Sequence, residues 1–518
     1  MSDKIINTFQ ARRQLNEELI GLSATQSEAE LLSRVRAIAQ TYEPLLILST
    51  LSKFLDNSSS QVRGGLGRLA TLLPYDETVT VLRKEAANRR NPTQTRITAA
   101  MILERFLQAE LAPGLMSDLK DPETVVMQSL QEALAESHEN HYILLEYVRQ
   151  MRQENEQVAH QVMELLGQLN EADRPELLRL IAYDMRESVA LAALERLGAI
   201  RQGDPAQTAA RALYTLQQNL KPELAQVAER TLRKLRFLGV RFQPTALEGW
   251  RALITPGTLD GSQDLWFVRD GANVSENVLI GLRINASAGV LDTFGSEALD
   301  PQYLPAQRSV GEMVSVTLTN GPPTVFLEVP VKYARWRLEQ AVATHWRQSK
   351  PQPLPDDYTF YNPYLSLAEA AELPAELQTL FTSGPALWKK NRAQLDEIAA
   401  TLLRHPAMAG WFFQNNRMLA AATHLSSTDE LGVQKMIVSL KRELFTSRIE
   451  QALNVEIQAA LLAQAGWLAI SGHPQHAQHA VLLAEGFNHI AAAEHPLVEM
   501  MLEIGLLLLM KRKERGPG

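Results

Sequence analysis

The segment LLRLIAYDMRESVALAALERLGAI, residues 177–200, contains two apolar helical patterns separated by a short polar turn. In the second pattern Val189, Ala193 and Leu197 follow one another at intervals of four residues. This spacing places the three side chains on one face of an α-helix, and that face is expected to be buried. Because two helices this short cannot cover their own apolar faces, the segment requires neighbours of the same kind.

Segments of the same design recur along residues 25–240. The second helix of each opens on a small or branched residue, and these positions are spaced by 33, 31, 32 and 31 residues: Val62, Thr95, Val126, Val158 and Val189. A looser sixth unit is centred on Val227. A period of this size is typical of stacked helical hairpins, in which each hairpin completes the core of the next.

These repeats resemble the HEAT and armadillo-like families. The likeness rests on an Asp- or Asn-containing turn followed by Val-Arg at the second helix, which DNSSSQVR (56–63) matches best. DPETVV (121–126) and MRESVA (185–190) are weaker matches. The resemblance is confined to residues 25–240 and implies an α-solenoid, a fold that mostly binds proteins or nucleic acid along its concave surface.

From about residue 241 the composition changes. Turn dipeptides cluster and apolar residues alternate with polar ones, beginning with GWRALITPGTLDGSQDLWFVRDG (249–271). Such alternation between turns is typical of antiparallel strands, and we predict five or six of them in 246–331. They form a β-rich module, 241–335, with these candidate core residues: Trp250, Leu253, Leu265, Phe267, Leu279, Ile284, Val314 and Leu327.

Helical patterns return after this module. Residues 336–365 contain a helix and then the Pro-rich PQPLPDDYTFYNPY (351–364), whose prolines predict a linker or extended arm. Residues 366–518 are predicted to form a C-terminal helical domain. The sequence therefore predicts a mainly α protein, with an N-terminal HEAT-like α-solenoid in 1–240, a small antiparallel β-rich module in the middle and a C-terminal helical array.

Composition and charge exclude several functions. The chain of 518 residues has a net charge of −8 and no cysteine. The negative charge argues against a surface built throughout to bind nucleic acid, and the lack of cysteine excludes disulfides, thiolate zinc sites and cysteine nucleophiles. Because no Walker loop, dinucleotide fingerprint, GxSxG or HExxH motif occurs, we predict no cofactor and no catalytic residue.

Neither terminus has a pattern that predicts a membrane segment. The N-terminal residues lack the continuous apolar core of a signal peptide. Residues 497–510 are largely apolar but include Glu499 and Glu503, whereas a spanning helix needs about 20 apolar residues. We expect a buried terminal helix, no membrane partner and a cytoplasmic location.

Aromatic residues concentrate between the β-rich module and the C-terminal helices, and we predict that they bind a partner: Tyr333, Trp336, Trp346, Tyr358 and Tyr361. Tyrosine and tryptophan are the usual anchors of protein interfaces. The same residues can instead pack the Pro-rich arm against a neighbouring domain. The expected function is a non-catalytic scaffold or adaptor that binds a protein through the solenoid surface and this junction.

Two basic clusters support an alternative, a nucleic-acid-binding protein. Their members are Arg83, Arg89 and Arg90 in the first cluster and Arg230, Arg233, Lys234 and Arg236 in the second. Arg230, Arg233 and Lys234 share one helix face, where they could contact phosphates. Leu232, Leu235 and Leu238 are expected to face inward.

A third alternative is an enzyme or a metal-binding protein. The segment GHPQHAQH (472–479) places His476 and His479 three residues apart on a predicted helix, a spacing that allows two imidazoles to bind one metal ion. No carboxylate is placed beside them to orient the rings. We therefore expect no metal site and interpret these histidines as a solvated helix face.

Overall fold

The structure is a computed structural model, and it describes residues 2–25, 27–57, 59–88, 90–109, 122–317, 323–368, 371–413, 416–424, 430–445 and 447–514. These residues are mainly helical, with one six-stranded antiparallel sheet in the middle of the chain. The chain divides into two compact units, Met1–Gln243 and Pro244–Gly518. The predicted fold class is confirmed at this level, mainly α with a small antiparallel sheet.

The described part of the first unit is helical. Its helices are α1 (Ser2–Gly21), α2 (Glu28–Thr41), α3 (Pro44–Leu51), α4 (Ser60–Ala70), α5 (Tyr75–Ala87), α6 (Thr93–Met101), α7 (Pro122–Ser137), α8 (Tyr142–Gln153), α9 (Glu156–Leu166), α10 (Arg174–Ile181), α11 (Glu187–Ala199), α12 (Gly203–Asn219) and α13 (Pro222–Phe237). The first helix predicted for the unit of Val126 falls largely in 110–121, outside the described residues.

The repeat positions found in the sequence mark helix starts. Val62, Val158 and Val189 are each the third residue of a helix, namely α4, α9 and α11. For α4 and α9 the polar turn before the helix supplies the cap, because Ser59 Oγ accepts the Val62 N–H (3.2 Å) and Asn155 Oδ1 accepts the Val158 N–H (3.0 Å). Such caps satisfy N–H groups that the helix itself cannot pair.

From α7 to α13 the helices form two layers. α7, α9, α11 and α13 each pack against the next in one layer, and α8, α10 and α12 do so in the other. The contact faces are those given by the periodicity, since Val189, Ala193 and Leu197 have no exposed surface. Spacing along the sequence therefore predicts which face of each helix is buried.

Around α4 the order of contacts departs from the order of repeats. Arg63 of α4 pairs with Glu132 of α7 (2.8 Å), and Arg68 pairs with Glu146 of α8 (2.7 Å). α4 also packs against the helical turn Ile102–Phe106 that follows α6, and α5 and α6 pack against each other and against the same turn. Periodicity counts residues along the chain and cannot report that α4 contacts α7 and α8 directly.

The β-rich module is one antiparallel sheet with strand order β4-β3-β2-β1-β6-β5. Its strands are β1 (Trp250–Ile254), β2 (Ser262–Arg269), β3 (Val278–Asn285), β4 (Gly289–Glu297), β5 (Met313–Val316) and β6 (Thr324–Val329). Seven of the eight predicted core residues are buried, and Trp250 is half-buried. The segment 249–271 is thus the first hairpin of the sheet, with Leu253 opposite Trp266.

The second unit adds ten helices to the sheet within its described residues. They are α14 (Val331–Trp346), α15 (Asp356–Ser366), α16 (Ala375–Thr382), α17 (Gly384–Asn391), α18 (Leu395–Leu403), α19 (Asn416–His424), α20 (Glu430–Leu444), α21 (Ser447–Ile470), α22 (Pro474–Gly486) and α23 (Pro496–Glu514). α14 and α15 cover one face of the sheet, where they contact β4, and α14 also contacts β1 and β3.

The prediction of an extended arm is wrong for residues 356–366, which form α15. Pro355 precedes the helix, where a proline costs no hydrogen bond. Asp356 and Asp357 lie in the first turn, where their negative charges interact favourably with the positive end of the helix dipole. Pro363 lies inside the helix and can donate no backbone hydrogen bond there, yet the helix continues to Ser366. Burial of its aromatic residues against the sheet outweighs this loss.

The turn between β1 and β2 is held by the C-terminal helical region. The Gly257 N–H donates to Gln464 Oε1 (2.6 Å), and the indole N–H of Trp411 donates to the Gly257 carbonyl (2.8 Å). Gln464 and Trp411 are 0% and 1% exposed. The sheet and these helices therefore share buried hydrogen bonds as well as one compact unit.

The apolar segment near the C-terminus is buried, as expected. It lies in α23, where Leu497, Met501 and Leu506 have no exposed surface. By length and composition alone, one helical stretch in the described residues could cross a membrane, Gln451–Ile470, and about half of it is buried inside the fold. Core helices of soluble proteins meet the same criteria, so this is weak evidence for a membrane segment.

His495, just before α23, predicts a dependence of stability on pH. It is fully buried, its ring stacks on Phe487 at 4.1 Å, and its Nδ1 accepts the Leu497 N–H (3.2 Å). Burial lowers the pKa of His495 to about 4. The unfolded chain takes up this proton near pH 6.5, so the stability contributed by the neutral ring is complete above that pH and is lost as the pH falls towards 4.

We expect this residue to lower the free energy of unfolding by about 3 kcal/mol between pH 7 and pH 4. His495→Asn keeps an acceptor for the Leu497 N–H and removes the titrating ring, so its unfolding free energy should fall less over the same range. Because all seven tryptophans lie at or after Trp250, tryptophan fluorescence in urea reports unfolding of the second unit. Equal pH slopes for the two proteins would contradict the prediction.

Candidate partner-binding surface

The tyrosines predicted to bind a partner belong to the core of the second unit. Tyr333, Tyr358 and Tyr361 are 0%, 1% and 2% exposed. The Tyr361 ring lies 2.3 Å from the point that a Cβ on Gly295 would occupy, so this glycine lets α15 approach β4 closely. A partner cannot reach these three side chains in this conformation.

The two tryptophans of the predicted junction are half-buried. Trp336 stacks between Tyr333 and Phe381, with ring centres 6.2 and 5.8 Å away. Trp346 packs edge-on against His345 at 5.2 Å. These contacts are those of packing within the second unit, which is the alternative that the sequence left open.

The carboxylates near the turns of the sheet are engaged in the fold. The buried Arg251 pairs with Asp270 (2.9 Å) and Glu328 (3.4 Å), and it also donates to the carbonyls of Pro305 and Ala306. Burial raises the pKa of Glu328, against the opposing effect of Arg251. A cavity of about 300 Å³ lies beside Asp270, but the two carboxylates hold Arg251, which in turn donates to the loop at 305–306, as expected for a structural cluster.

The structure describes two of the three residues in the first basic cluster. Arg83 and Arg90 are exposed, on α5 and in the turn before α6, whereas Arg89 lies outside the described residues. Arg96 nearby is buried and donates from Nε to the Ala86 carbonyl (2.9 Å), so it is part of the α5–α6 packing. This cluster presents no continuous stripe in the described residues.

The second basic cluster forms a stripe along α13. Leu224, Ala228, Leu232 and Leu235 are buried on one side of this helix. Arg230, Arg233, Lys234 and Phe237 follow the helical spacing i, i+3, i+4 and i+7, which places them together on the opposite, exposed side. The cations and the aromatic ring therefore share one face.

Phe237 and Leu238 are unusually exposed for large apolar residues, at 90% and 57%. The end of α13 explains why. Gly239 has φ +91°, its N–H bonds the Arg236 carbonyl (3.0 Å), and the Val240 N–H bonds the Leu235 carbonyl (3.1 Å). This is a Schellman motif, which turns the chain away from the helix axis.

The prediction that Leu238 faces inward is therefore wrong. Helical spacing no longer holds at the residue where the helix ends, and Val240 is buried in its place, 8% exposed. We call Arg230, Arg233, Lys234, Phe237 and Leu238 the α13 surface.

The charge of the α13 surface is mostly uncompensated. Arg233 pairs with Glu229 of the same helix (2.6 Å), with both side chains exposed, so the pair adds little stability. Arg230, Lys234 and Arg236 have no ion pair among the described residues. In a chain of net charge −8, this face is a local positive patch beside an exposed aromatic ring.

The two histidines that the sequence suggested as metal ligands, His476 and His479, have different neighbours in the structure. His476 is the third residue of α22 and lies close to His405 and His473, with ring centres 4.8 and 6.0 Å away. His479 lies one turn further along the helix, and its ring centre is 6.0 Å from that of His476. The structure thus brings His476 together with a residue, His405, that is remote in sequence.

Phe237 and Leu238 were missed as site residues. The available signal was the apolar Phe237 at seven residues from Arg230, outside the buried stripe of its own helix. Periodicity assigns apolar residues to the core by default, so an exposed one is recognised only when the helix end is known.

Comparison with protein-family models, curated proteins and solved structures finds no match for this chain.

Proposed function

We propose that this protein is a non-catalytic scaffold that binds a protein partner through the α13 surface. The observation that carries the proposal is the 90% exposure of Phe237 in line with Arg230, Arg233 and Lys234. Exposed apolar side chains next to one another often belong to interaction sites, and aromatic and arginine residues contribute most to binding energy there.

The architecture we propose for the first unit is a HEAT-like α-solenoid. Two observations support it, the repeat spacing of 31–33 residues in the sequence and the two layers formed by α7 to α13. A solenoid is rigid over several repeats and offers long surfaces for binding. α13 is the last helix of this array, so within the first unit no further hairpin packs on it.

The chemistry of the α13 surface specifies the kind of partner. Three exposed cations in line favour an acidic segment, which they attract at long range and orient. Phe237 and Leu238 favour an apolar side chain within that segment, because burying their exposed surface contributes binding energy. The partner we expect is therefore a protein with an acidic stretch interrupted by at least one apolar residue.

Substitutions on the α13 surface should weaken binding of this partner. We expect Phe237→Ala to raise the dissociation constant about 10- to 100-fold, the range for an aromatic hot spot. The double variant Arg230→Glu, Lys234→Glu should raise it as well, mainly by slowing association. The measurement is titration calorimetry of the purified pair, after the partner has been captured from nuclease-treated lysate.

Arg90→Glu is the matched control, because it reverses an exposed arginine of the first unit that lies in the turn before α6 and is not part of the α13 surface. It should leave the dissociation constant unchanged. If Phe237→Ala binds as tightly as the wild type, or Arg90→Glu weakens binding equally, the α13 surface is not the binding site.

The second candidate function is nucleic-acid binding. It is favoured by the three cations without an ion pair in the described residues, Arg230, Lys234 and Arg236, which could contact successive phosphates. In that case retention on DNA or RNA should fall steeply with salt and be lost on charge reversal, while captured material disappears on nuclease treatment. Phe237→Ala separates the candidates, because phosphate contacts do not need the ring.

A further inference from the structure

Three histidines from two parts of the second unit converge on one point. His405 follows α18, His473 precedes α22 and His476 lies in its first turn. Their ring centres are 4.5 Å apart for His405 and His473 and 4.8 Å apart for His405 and His476. One candidate ligand nitrogen from each lies within 4.8 Å of the other two.

The local backbone holds these rings in place. His473 is the residue that starts α22, and its N–H bonds the Leu468 carbonyl at the end of α21 (2.8 Å). Pro474 then fixes the first turn of the helix, which sets the position of His476. His405 in turn caps the helical turn Pro406–Met408 by accepting the Ala407 N–H at Nδ1 (3.2 Å).

No carboxylate pairs with any of the three rings within the part of the chain that the structure describes. Other histidines do have such partners, for instance His489 with Glu485 at 3.0 Å. The neutral imidazole is the form of histidine that binds a metal.

We propose that His405, His473 and His476 bind one zinc-class divalent cation, with the fourth position open to solvent. Imidazole is a preferred ligand of Zn²⁺, and three histidines with an open position are a known zinc arrangement. In tetrahedral zinc the ligand nitrogens are roughly 3.3 Å apart, given Zn–N bonds of about 2.0 Å. Side-chain rotation of the half-buried rings has to close the remaining distance.

Binding also requires a change at His405. Its Nδ1 accepts the Ala407 N–H, so in the neutral ring the proton is on Nε2. A metal on Nε2 displaces that proton, and the ring then carries its proton on Nδ1, without the cap. Metal binding at this residue therefore exchanges one weak backbone hydrogen bond for a coordinate bond.

The test is titration of the full, untagged, chelator-treated chain with Zn²⁺ alone, followed by calorimetry. We expect one high-affinity ion per chain. His405→Asn keeps an acceptor for the Ala407 N–H and removes the imidazole, so the fold is retained while the dissociation constant rises at least tenfold. Co²⁺ in place of Zn²⁺ gives a second readout, because tetrahedral Co²⁺ absorbs strongly in the visible range.

Two matched variants decide between sites. His479→Ala removes the neighbour that the sequence pairs with His476, and His489→Ala removes an exposed histidine paired with Glu485. Both should bind Zn²⁺ as the wild type does. The proposal is overturned if no stoichiometric ion binds, if His405→Asn binds normally while its far-ultraviolet spectrum is native, or if His479→Ala loses as much affinity as His405→Asn.

Discussion

Replacing Gly289 with alanine is expected to lower the free energy of unfolding of the second unit by roughly 2–5 kcal/mol. Gly289 begins β4 with φ +90°, a left-handed conformation that costs alanine energy. A Cβ there would also lie 2.5 Å from the Cβ of His345 and 2.6 Å from its backbone N and Cα. Because those backbone atoms belong to α14, the helix itself must move away from the sheet.

Gly249→Ala is the matched control for this prediction. Gly249 has φ +75°, but nothing lies within 4 Å of the Cβ it would acquire. It therefore measures the conformational cost alone, about 1 kcal/mol. Urea unfolding followed by tryptophan fluorescence compares the two variants, and equal losses of stability would mean that the close approach of α14 to Gly289 adds no cost.

Trp411→Ala is expected to lower the free energy of unfolding of the second unit by about 3–5 kcal/mol. The indole is 1% exposed, so alanine leaves a large cavity. The substitution also removes the bond to the Gly257 carbonyl (2.8 Å), which holds the β1–β2 turn. Trp411→Phe retains most of the ring volume and should cost less. Because these variants remove a tryptophan, unfolding is followed by circular dichroism instead of tryptophan fluorescence.

A substitution at Gln464 separates the contribution of the hydrogen bonds to Gly257 from that of the packing of the Trp411 ring. Gln464→Leu leaves the Gly257 N–H without its acceptor, at a cost of about 1–3 kcal/mol. Because Gln464 and Trp411 hold the same residue, the double variant Trp411→Phe, Gln464→Leu should cost less than the sum of the single ones. Additive losses would show that the two side chains stabilise the turn independently.

Much of the fold follows from local patterns. The spacing of Val62, Val158 and Val189 predicts helix starts because apolar periodicity acts within a few residues, as do the polar caps of α4 and α9. Alternation predicts the strands for the same reason. Residues 356–366 were predicted to be an extended arm but form a helix, because burial of Tyr358 and Tyr361 against other elements outweighs the local effect of proline.

The candidate sites depended more on tertiary structure. Arg230, Arg233 and Lys234 were found from helical spacing alone, but the exposure of Phe237 requires knowledge of where α13 ends and what covers it. His476 was found with its neighbour His479, whereas its actual companion His405 is brought to it by the packing of α18 against α22.

The sequence by itself determined most of the helices in residues 25–240 and the strands of the β-rich module, together with the apolar face of each, since these depend on residues three or four positions apart along a helix and two along a strand. Only the tertiary structure decided that α4 contacts α7 and α8, that the junction tyrosines are core residues, and that His405 lies beside His473. Contacts between residues distant in sequence arise from the packing of whole elements, which no local pattern encodes.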